Sequence, residues 1–166
     1  LTEQIDREVI DAAGLQLRGI SQIAVGYNNI DIKAATEKGI YVTNTPGVLT
    51  DTTADFAFSL LMAVARRVAE ADRYVKSGKW KVPWDLMMLV GQDVWGKTIG
   101  IIGLGRIGSA VAQRAKGMNM GILYFDVYRN EQTEKEVGAK YVLLETLLKE
   151  SDFVTVHVPL MPSTHH

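Results

Sequence analysis

A glycine-rich stretch in the second half of the chain restricts the fold most strongly. Residues 97–108 read KTIGIIGLGRIG, so β-branched apolar residues run directly into the pattern G-x-G-x-x-G. The segment from Ser109 to Lys116 is suited to a helix, and Gly117 follows it as a stop signal. This order predicts a strand, a tight turn and a helix that begins near Arg106.

Each glycine of the pattern has a separate expected purpose. Gly103 supplies the turn, Gly105 lets the backbone approach a pyrophosphate, and Gly108 lets the helix pack closely on the strand. The phosphates would lie on the free N–H groups at the helix N-terminus. Glycines at this spacing also occur in turns that bind nothing, so the pattern alone is a weak signal.

The residue that follows the next strand strengthens the interpretation. Residues 122–125 form an apolar strand that ends at Asp126, 18 residues after Gly108, where a dinucleotide site places a carboxylate for the adenosine ribose. A carboxylate accepts hydrogen bonds from the 2′ and 3′ hydroxyls and repels a 2′-phosphate, so Asp126 favours NAD. Arg129 would offset that repulsion, which leaves NADP as the alternative.

Composition excludes several other classes. The 166 residues are 47% apolar and 22% charged, which is typical of one globular domain with a real core. A net charge of −1, with Lys and Arg spread along the chain, gives no electrostatic footprint for nucleic acid. No apolar run approaches the roughly 20 residues of a membrane span. There is no cysteine, no metal site is expected, and the polar residues 1–4 carry no signal-peptide pattern, so we expect a cytoplasmic location.

The first 46 residues predict a small β-α-β unit. The expected elements are a helix over 7–13 capped by Asp6, a strand over 20–25, a helix over 32–38 capped by Asp31, and a strand over 40–43. Pro46 and Gly47 then interrupt the pattern.

A helix of different character is predicted next. Thr52 and Asp55 have the spacing of a capping box, and apolar residues recur at helical spacing toward Val75, before residues 77–78 end the helix. Its wide apolar first half fits burial against a second body or a partner subunit as well as an ordinary core helix. Residues 80–92 are irregular, and their apolar run is expected to pack on a partner or a second domain.

From residue 98 onward strands and helices alternate. The expected elements after Asp126 are a helix over 131–137, a strand over 140–142, a helix over 144–150 and a strand over 153–158. This is the first half of a doubly wound parallel α/β sheet, in which the fourth strand returns to lie beside the first. His157 and Val158 would then end next to the glycine loop. We expect His157 to be a strand-end histidine without chemistry, whose backbone can contact a cofactor.

Several motifs taken together resemble one family. The segments are AVGYNNID (24–31), YVTNTP (41–46), TAD (53–55), GKTIGIIGLGRIG (96–108) and HVPL (157–160). In this order they resemble the D-isomer-specific 2-hydroxyacid dehydrogenases over essentially the whole chain. Among these the chain is most similar to archaeal-type glyoxylate/hydroxypyruvate reductases, and next to phosphoglycerate dehydrogenases.

The resemblance implies a division into two parts and a set of contacts. Residues 1–46 would be the end of a flavodoxin-like substrate-domain segment, and 47–166 a Rossmann-type dinucleotide-binding domain that stops after its fourth strand. The main chain at Val25 and Gly26 would hold the substrate carboxylate. The turn from His157 to Ser163 would line the adenine and ribose side. The implied cofactor contacts are Gly103, Leu104, Gly105, Arg106, Ile107, Gly108, Asp126, His157, Val158 and Pro159.

The implied activity is the NAD(P)-dependent reduction of a small 2-oxo acid, glyoxylate or hydroxypyruvate, to the D-2-hydroxy acid. A D-3-phosphoglycerate dehydrogenase and a non-catalytic NAD(H)-binding module are the alternatives. The family's catalytic Arg, Glu and His lie after the fourth strand, so no catalytic residue is predicted here, and His165 and His166 are not the catalytic histidine. We expect a longer enzyme, an unstable or inactive isolated chain, and a homodimer that uses residues 50–90.

Overall fold

The computed structural model describes residues 3–161 and 164. Their contacts divide them into two compact units. The second unit spans Thr50–Val158, and the first comprises the described residues up to Leu49 together with those from Pro159 onward. The predicted boundary after residue 46 concerns the domains of a larger enzyme and stays a prediction. Among the described residues, no helix has both the length and the apolarity that crossing a membrane requires.

The first unit is a small β-α-β arrangement. Its elements are α1 (Arg7–Ala12), β1 (Gly19–Ser21), α2 (Ile32–Glu37) and β2 (Tyr41–Thr43). Strands β1 and β2 pair in parallel. The Asp6 carboxylate accepts the N–H of Val9 at 3.1 Å. The Asp31 carboxylate accepts the N–H of Ala34 at 2.8 Å, so both predicted caps are confirmed.

The first strand is shorter than predicted. The strand expected over 20–25 ends at Ser21. The side-chain amide of the next residue, Gln22, is buried and donates to Oδ1 of Asn29 at 3.0 Å and to the carbonyl of Gly26 at 3.1 Å. A buried amide must find hydrogen-bond partners, and those of Gln22 lie ahead of it in the chain. The backbone therefore folds into a loop where a longer strand was expected.

The second unit carries a four-stranded parallel sheet. Its elements are α3 (Thr50–Ala65), α4 (Val68–Lys76), β3 (Thr98–Ile102), α5 (Arg106–Gly117), β4 (Gly121–Phe125), α6 (Glu131–Val137), β5 (Lys140–Tyr141), α7 (Leu144–Glu150) and β6 (Phe153–Val156). The strand order is β5-β4-β3-β6. The fourth strand of this sheet in chain order, β6, thus lies beside the first, β3, and the predicted doubly wound α/β arrangement is confirmed.

The core of this unit lies around β3, β4 and the helices α3 and α5. Ile99, Ile101 and Tyr124 of the sheet are fully buried, and so is Ala54 of α3. Helices α3 and α5 are joined at their polar edge by Arg114, whose guanidinium lies 2.5 Å from the Asp55 carboxylate. These contacts place α5, and with it the glycine loop, firmly on the sheet.

The predicted single long helix is wrong, because the chain breaks between α3 and α4. Arg67 adopts a left-handed conformation with φ of 56°. The carbonyl of Ala65, which a continuing helix would use internally, accepts the N–H of Gln92 at 2.8 Å. Gly91 approaches so closely that an added Cβ would lie 3.0 Å from the Arg66 Cα. Gln92, in the irregular segment after α4, thus supplies the hydrogen bond that the next turn of α3 would have made.

The predicted capping box is also wrong. Helix α3 already begins at Thr50, so Thr52 lies inside its first turn and does not cap it. Asp55 instead pairs with Arg114 of α5. A distant basic side chain, which local spacing does not reveal, decides the role of this carboxylate.

Candidate functional site

Two glycines of the glycine loop are required by the protein's own packing. Gly103 has φ of +93°, and a Cβ there would lie 2.7 Å from the carbonyl oxygen of His157. A Cβ at Gly108 would overlap the carbonyl oxygen of Gly103. Gly103 therefore permits both the turn and the close approach of His157, which follows β6. Gly108 lets α5 lie directly on the loop.

Gly105 has no such requirement. It is exposed, its φ is −75°, and an added Cβ would meet no heavy atom within 4 Å. It stands at the N-cap of α5, where no side chain caps the helix. Among the described residues, the N–H groups of Gly105, Arg106 and Ile107 donate to no protein acceptor. The loop thus presents open backbone and free donors at the positive end of a helix, which fits a pyrophosphate.

The Asp126 carboxylate lies directly beside this loop. Its Oδ2 accepts the N–H of Leu104 at 2.7 Å, and its Oδ1 accepts the N–H of Val127 at 2.7 Å. The side chain is partly exposed, and each carboxylate oxygen has a further lone pair. Asp126 can therefore accept hydrogen bonds from hydroxyl donors that reach the end of β4.

Asn130, which was not predicted as a site residue, ties the segment after β4 to the glycine loop. Its side-chain amide donates to the carbonyl of Leu104 at 2.9 Å, while its Oδ1 accepts the N–H of Thr133 and caps α6. Its backbone N–H donates to the hydroxyl of Tyr124 at 3.0 Å. An Asn just before a helix signals a cap in the sequence. The contact with Leu104 is a tertiary one and has no local signal.

A cluster of charged and aromatic residues holds the same segment from the other side. Both oxygens of Glu134 accept hydrogen bonds from Arg129, at 3.1 Å and 2.8 Å, and Oε1 also accepts the Tyr124 hydroxyl at 2.5 Å. The Arg129 contact, and then the Tyr124 contact, holds the pKa of Glu134 below its ordinary value. Burial, followed by the Glu134 hydrogen bond, raises the pKa of Tyr124. Arg129, which was predicted to offset repulsion at a 2′-phosphate, is therefore engaged by α6.

The end of β6 lies next to the glycine loop, as the strand order predicts. The N–H of His157 donates to the carbonyl of Ile102 at 2.7 Å, one residue beyond the strand. Its half-buried ring has Nε2 at 2.9 Å from the Thr155 hydroxyl, and burial lowers the pKa of the imidazole. A Cβ at Gly103 would also lie 2.9 Å from Cγ1 of Val158.

The next predicted contact is Pro159, the residue after Val158 in the chain. Pro159 belongs to the first unit, where its carbonyl accepts the Thr164 hydroxyl at 2.6 Å. Ser163, the predicted end of the turn, lies outside the described residues, as do His165 and His166.

In the first unit, Val25 and Gly26 occupy the exposed loop that follows β1. Their carbonyls are engaged, since Asn44 Nδ2 donates to Val25 at 2.8 Å and Gln22 Nε2 donates to Gly26 at 3.1 Å. Their N–H groups have no acceptor in the part of the chain that the structure describes. The loop thus offers two adjacent donors to solvent, an arrangement suited to an anion such as a carboxylate.

The arrangement provides binding and orientation. Over residues 3–161 and 164, no group of three or more His, Cys, Asp or Glu side chains is placed to hold a metal ion. Free N–H groups at a helix N-terminus, next to a carboxylate at the end of the neighbouring strand, match the two ends of a nucleotide: a charged phosphate and a ribose with hydroxyl donors.

Comparison with known proteins agrees with this geometry. The sequence profile of the D-isomer specific 2-hydroxyacid dehydrogenase NAD binding domain matches residues 58–166. A glyoxylate reductase of Korarchaeum cryptofilum is 66% identical over 166 residues, which are all of this chain and 50% of that protein. The chain therefore spans about half the length of the curated relatives it matches.

Solved structures show the same fold. A protein of Thermus thermophilus superimposes with a TM-score of 0.90 at 45% identity, over 98% of this chain and 50% of that one. A D-lactate dehydrogenase of Aquifex aeolicus, solved with NAD and lactic acid, has a TM-score of 0.85 at 32% identity, over 96% of this chain and 46% of that one. Sequence profile, relatives and fold agree, and the chain belongs to the D-isomer-specific 2-hydroxyacid dehydrogenase family, with residues 58–166 in its NAD-binding domain.

Proposed function

We propose that this chain is part of an NAD-dependent reductase that converts a small 2-oxo acid, glyoxylate or hydroxypyruvate, to the D-2-hydroxy acid. The high identity to a glyoxylate reductase over the whole of this chain supports the substrate class. The family's NAD-binding domain supports the cofactor.

The surroundings of Gly105 carry the proposal. A glycine without a conformational or packing requirement, beside free N–H groups, is explained by a ligand that must approach the backbone. We assign the pyrophosphate to the N–H groups of Gly105, Arg106 and Ile107, and the adenosine ribose to Asp126. The carbonyl of His157 and the side chain of Val158 would border the same site.

The chain's own residues would bind and orient the reactants. NADH, when bound, supplies the hydride for the 2-oxo carbon. The N–H groups of Val25 and Gly26 would hold the substrate carboxylate by hydrogen bonds to its charge. The acid/base step is assigned to the family's Arg, Glu and His, which the resemblance places outside these 166 residues.

We also propose that the protein is a homodimer that associates through residues 50–90. In the irregular segment, the adjacent residues Leu86 and Met87 are 71% and 75% exposed, and Trp84 is 76% exposed. Large apolar side chains clustered on a surface favour burial against a partner. A second copy of the chain is the occupant that the expected dimer provides.

The test of the proposed function is NADH binding, followed by turnover. The variant Asp126→Asn loses the charged acceptor for the ribose hydroxyls, so the Kd for NADH should rise about tenfold. Asp72→Asn makes the same charge change on α4, where Asp72 forms an ion pair with Lys76, and should leave the Kd unchanged.

Turnover is measured on the protein purified with its natural flanking sequence. Loss of NADH absorbance with glyoxylate or hydroxypyruvate, exceeding that with 3-phosphohydroxypyruvate, is the expected result. An unaltered protein that binds no NADH would refute the proposed function. NADH binding without turnover of any 2-oxo acid would leave only a binding module.

A further inference from the structure

The segment after β4 contains one acidic and one basic side chain, and they are held on opposite sides of that strand. Asp126 reaches toward the glycine loop that follows β3, where it accepts the N–H of Leu104. Arg129 reaches the other way, with its guanidinium 5.8 Å from the ring centroid of Tyr141 on β5. Since β4 lies between β3 and β5 in the sheet, the cation is turned away from the predicted ribose position.

Glu134 is the residue that fixes this orientation. Its two oxygens accept paired hydrogen bonds from Nε and Nη2 of Arg129, the geometry that a guanidinium fork forms best. Glu134 is itself held, because its Oε1 accepts the hydroxyl of the fully buried Tyr124. Its side chain is only 17% exposed, whereas that of Arg129 is 59% exposed. The carboxylate is therefore the anchor, and the guanidinium is the group free to move if the pair is broken.

Arg129 is the cationic residue of the stretch 126–130. A ribose 2′-phosphate at the end of β4 would carry negative charge into the neighbourhood of Asp126, and a nearby guanidinium would be its natural partner. While Glu134 occupies the guanidinium fork, that partner is withheld, and the repulsion from Asp126 acts without compensation.

We propose that Glu134 is a positioning residue for cofactor choice: by holding Arg129 toward β5 it withholds the counter-charge that a 2′-phosphate needs, and so favours NAD over NADP. This inference rests on the proposed cofactor site at Gly105 and Asp126. It adds a residue of α6 that does not itself contact the cofactor.

The experiment measures Kd for NADH and for NADPH on the same protein by fluorescence, and compares their ratio between variants. In Glu134→Gln the amide oxygen can still accept the Tyr124 hydroxyl, but the charge that holds Arg129 is gone. We expect the affinity for NADPH to rise roughly fivefold relative to that for NADH, which corresponds to one exposed ionic contact. The single variant Arg129→Gln should leave the ratio unchanged, because Arg129 is not available to either cofactor in the unaltered protein.

The double variant Glu134→Gln/Arg129→Gln supplies the decisive comparison. If the gain comes from released Arg129, the double variant returns to the ratio of the unaltered protein. If Glu134 had a purely structural role, Glu134→Gln would instead weaken the binding of both cofactors and leave the ratio unchanged. The matched control is Glu136→Gln, which removes the same charge from α6. The Glu136 carboxylate accepts a hydrogen bond from Gln132, so its loss should have no effect on the ratio.

A further variant guards against misfolding of Glu134→Gln. Arg129→Lys leaves Glu134 and Tyr124 in place and keeps the positive charge, but an ammonium lacks the fork for paired hydrogen bonds. It should therefore shift the ratio in the same direction as Glu134→Gln.

The inference would be overturned by an unchanged NADPH-to-NADH ratio in both Glu134→Gln and Arg129→Lys. A gain for NADPH that persists in the double variant would overturn it as well. In either case, NADH binding by the unaltered protein would still uphold the proposed function. Absence of NADH binding by the unaltered protein would overturn both.

Discussion

At the scale of single residues, the three glycines of the loop show how one motif combines two kinds of constraint. Gly103 and Gly108 are surrounded by the protein's own backbone, so larger residues there would disturb folding. Gly105 faces open space, so a larger residue there would disturb only what enters that space. Substitutions at Gly105 and Gly108 should therefore affect different properties.

Gly105→Val should weaken NADH binding at least about tenfold, since its side chain would fill the space through which a pyrophosphate reaches the backbone. Its melting temperature should stay within roughly 3 °C of the unaltered protein. Gly108→Val should instead lose about 1–3 kcal/mol of unfolding free energy because of overpacking. NADH titration and thermal unfolding of both variants check this. Equal NADH affinity in Gly105→Val and the unaltered protein would contradict it.

At the scale of elements, the break between α3 and α4 shows tertiary contact overriding local helical pattern. The apolar spacing that runs from α3 toward Val75 predicts one helix, yet Gln92 takes the carbonyl of Ala65 and Arg67 turns left-handed. Gly91 makes this possible, because only a residue without a side chain can lie so close to the end of α3.

Gly91→Ala should therefore lower the free energy of unfolding by about 1–3 kcal/mol, as its Cβ would overlap the carbonyl of Ala65. Gly117→Ala is the control: it lies at the end of α5, and an added Cβ there would meet nothing within 4 Å. That change should be neutral or stabilising, because alanine has the higher helix propensity. Denaturant unfolding distinguishes the two, and equal stability of both variants would show that the contact of Gly91 is not needed.

Acid should weaken the ion pair between Glu134 of α6 and Arg129. The pKa of Glu134 is held below its ordinary 4.5 chiefly by Arg129, so the folded state binds a proton less readily than the unfolded state. The stabilisation is fully present above the unfolded-state pKa and is lost as the pH falls through the folded-state pKa.

The difference in melting temperature between the unaltered protein and Glu134→Gln should therefore shrink as the pH is lowered below 4.5. A difference that stays constant across this range would mean that the ion pair with Arg129 contributes nothing to stability.

At the scale of the whole molecule, the described residues leave much apolar surface uncovered. Strand β6 stands at the edge of the sheet as described, with Val154 and Val156 exposed, and Leu60 and Val64 of α3 are exposed as well. An unpaired strand edge and contiguous apolar side chains are unfavourable in water. The irregular segment between α4 and β3 also exposes Trp84, Leu86 and Met87.

If residues 50–90 form a dimer interface, the double variant Leu86→Glu/Met87→Glu should shift the protein from dimer to monomer, since association would bury two new charges. Leu15→Glu, at a side chain that is 96% exposed in the first unit, should leave the dimer intact. Sedimentation velocity measures both. An unaltered protein that sediments as a monomer would refute the proposed dimer directly.

Local chemistry was enough to predict most of the elements and part of the candidate site. The caps Asp6 and Asp31 satisfy helix N–H groups from neighbouring positions, and the alternation of strands and helices after residue 98 admits few topologies. For the same reason, the placement of β6 beside β3 followed from chain order. The roles of Gly103 and Gly108 also followed, because a recurrent turn prescribes them.

The sequence by itself thus determined the fold class, the N-terminal caps of α1 and α2 and the position of Asp126, since these depend on residues close together in the chain. Only the tertiary structure decided the end of β1, the break after Ala65 and the direction of Arg129. In each of these the deciding partner is a side chain or a backbone group that the local pattern does not point to: Asn29 for Gln22, the N–H of Gln92 for Ala65, and Glu134 for Arg129. A polar group takes whichever partner the fold brings within hydrogen-bond distance, and a local pattern carries no record of that choice.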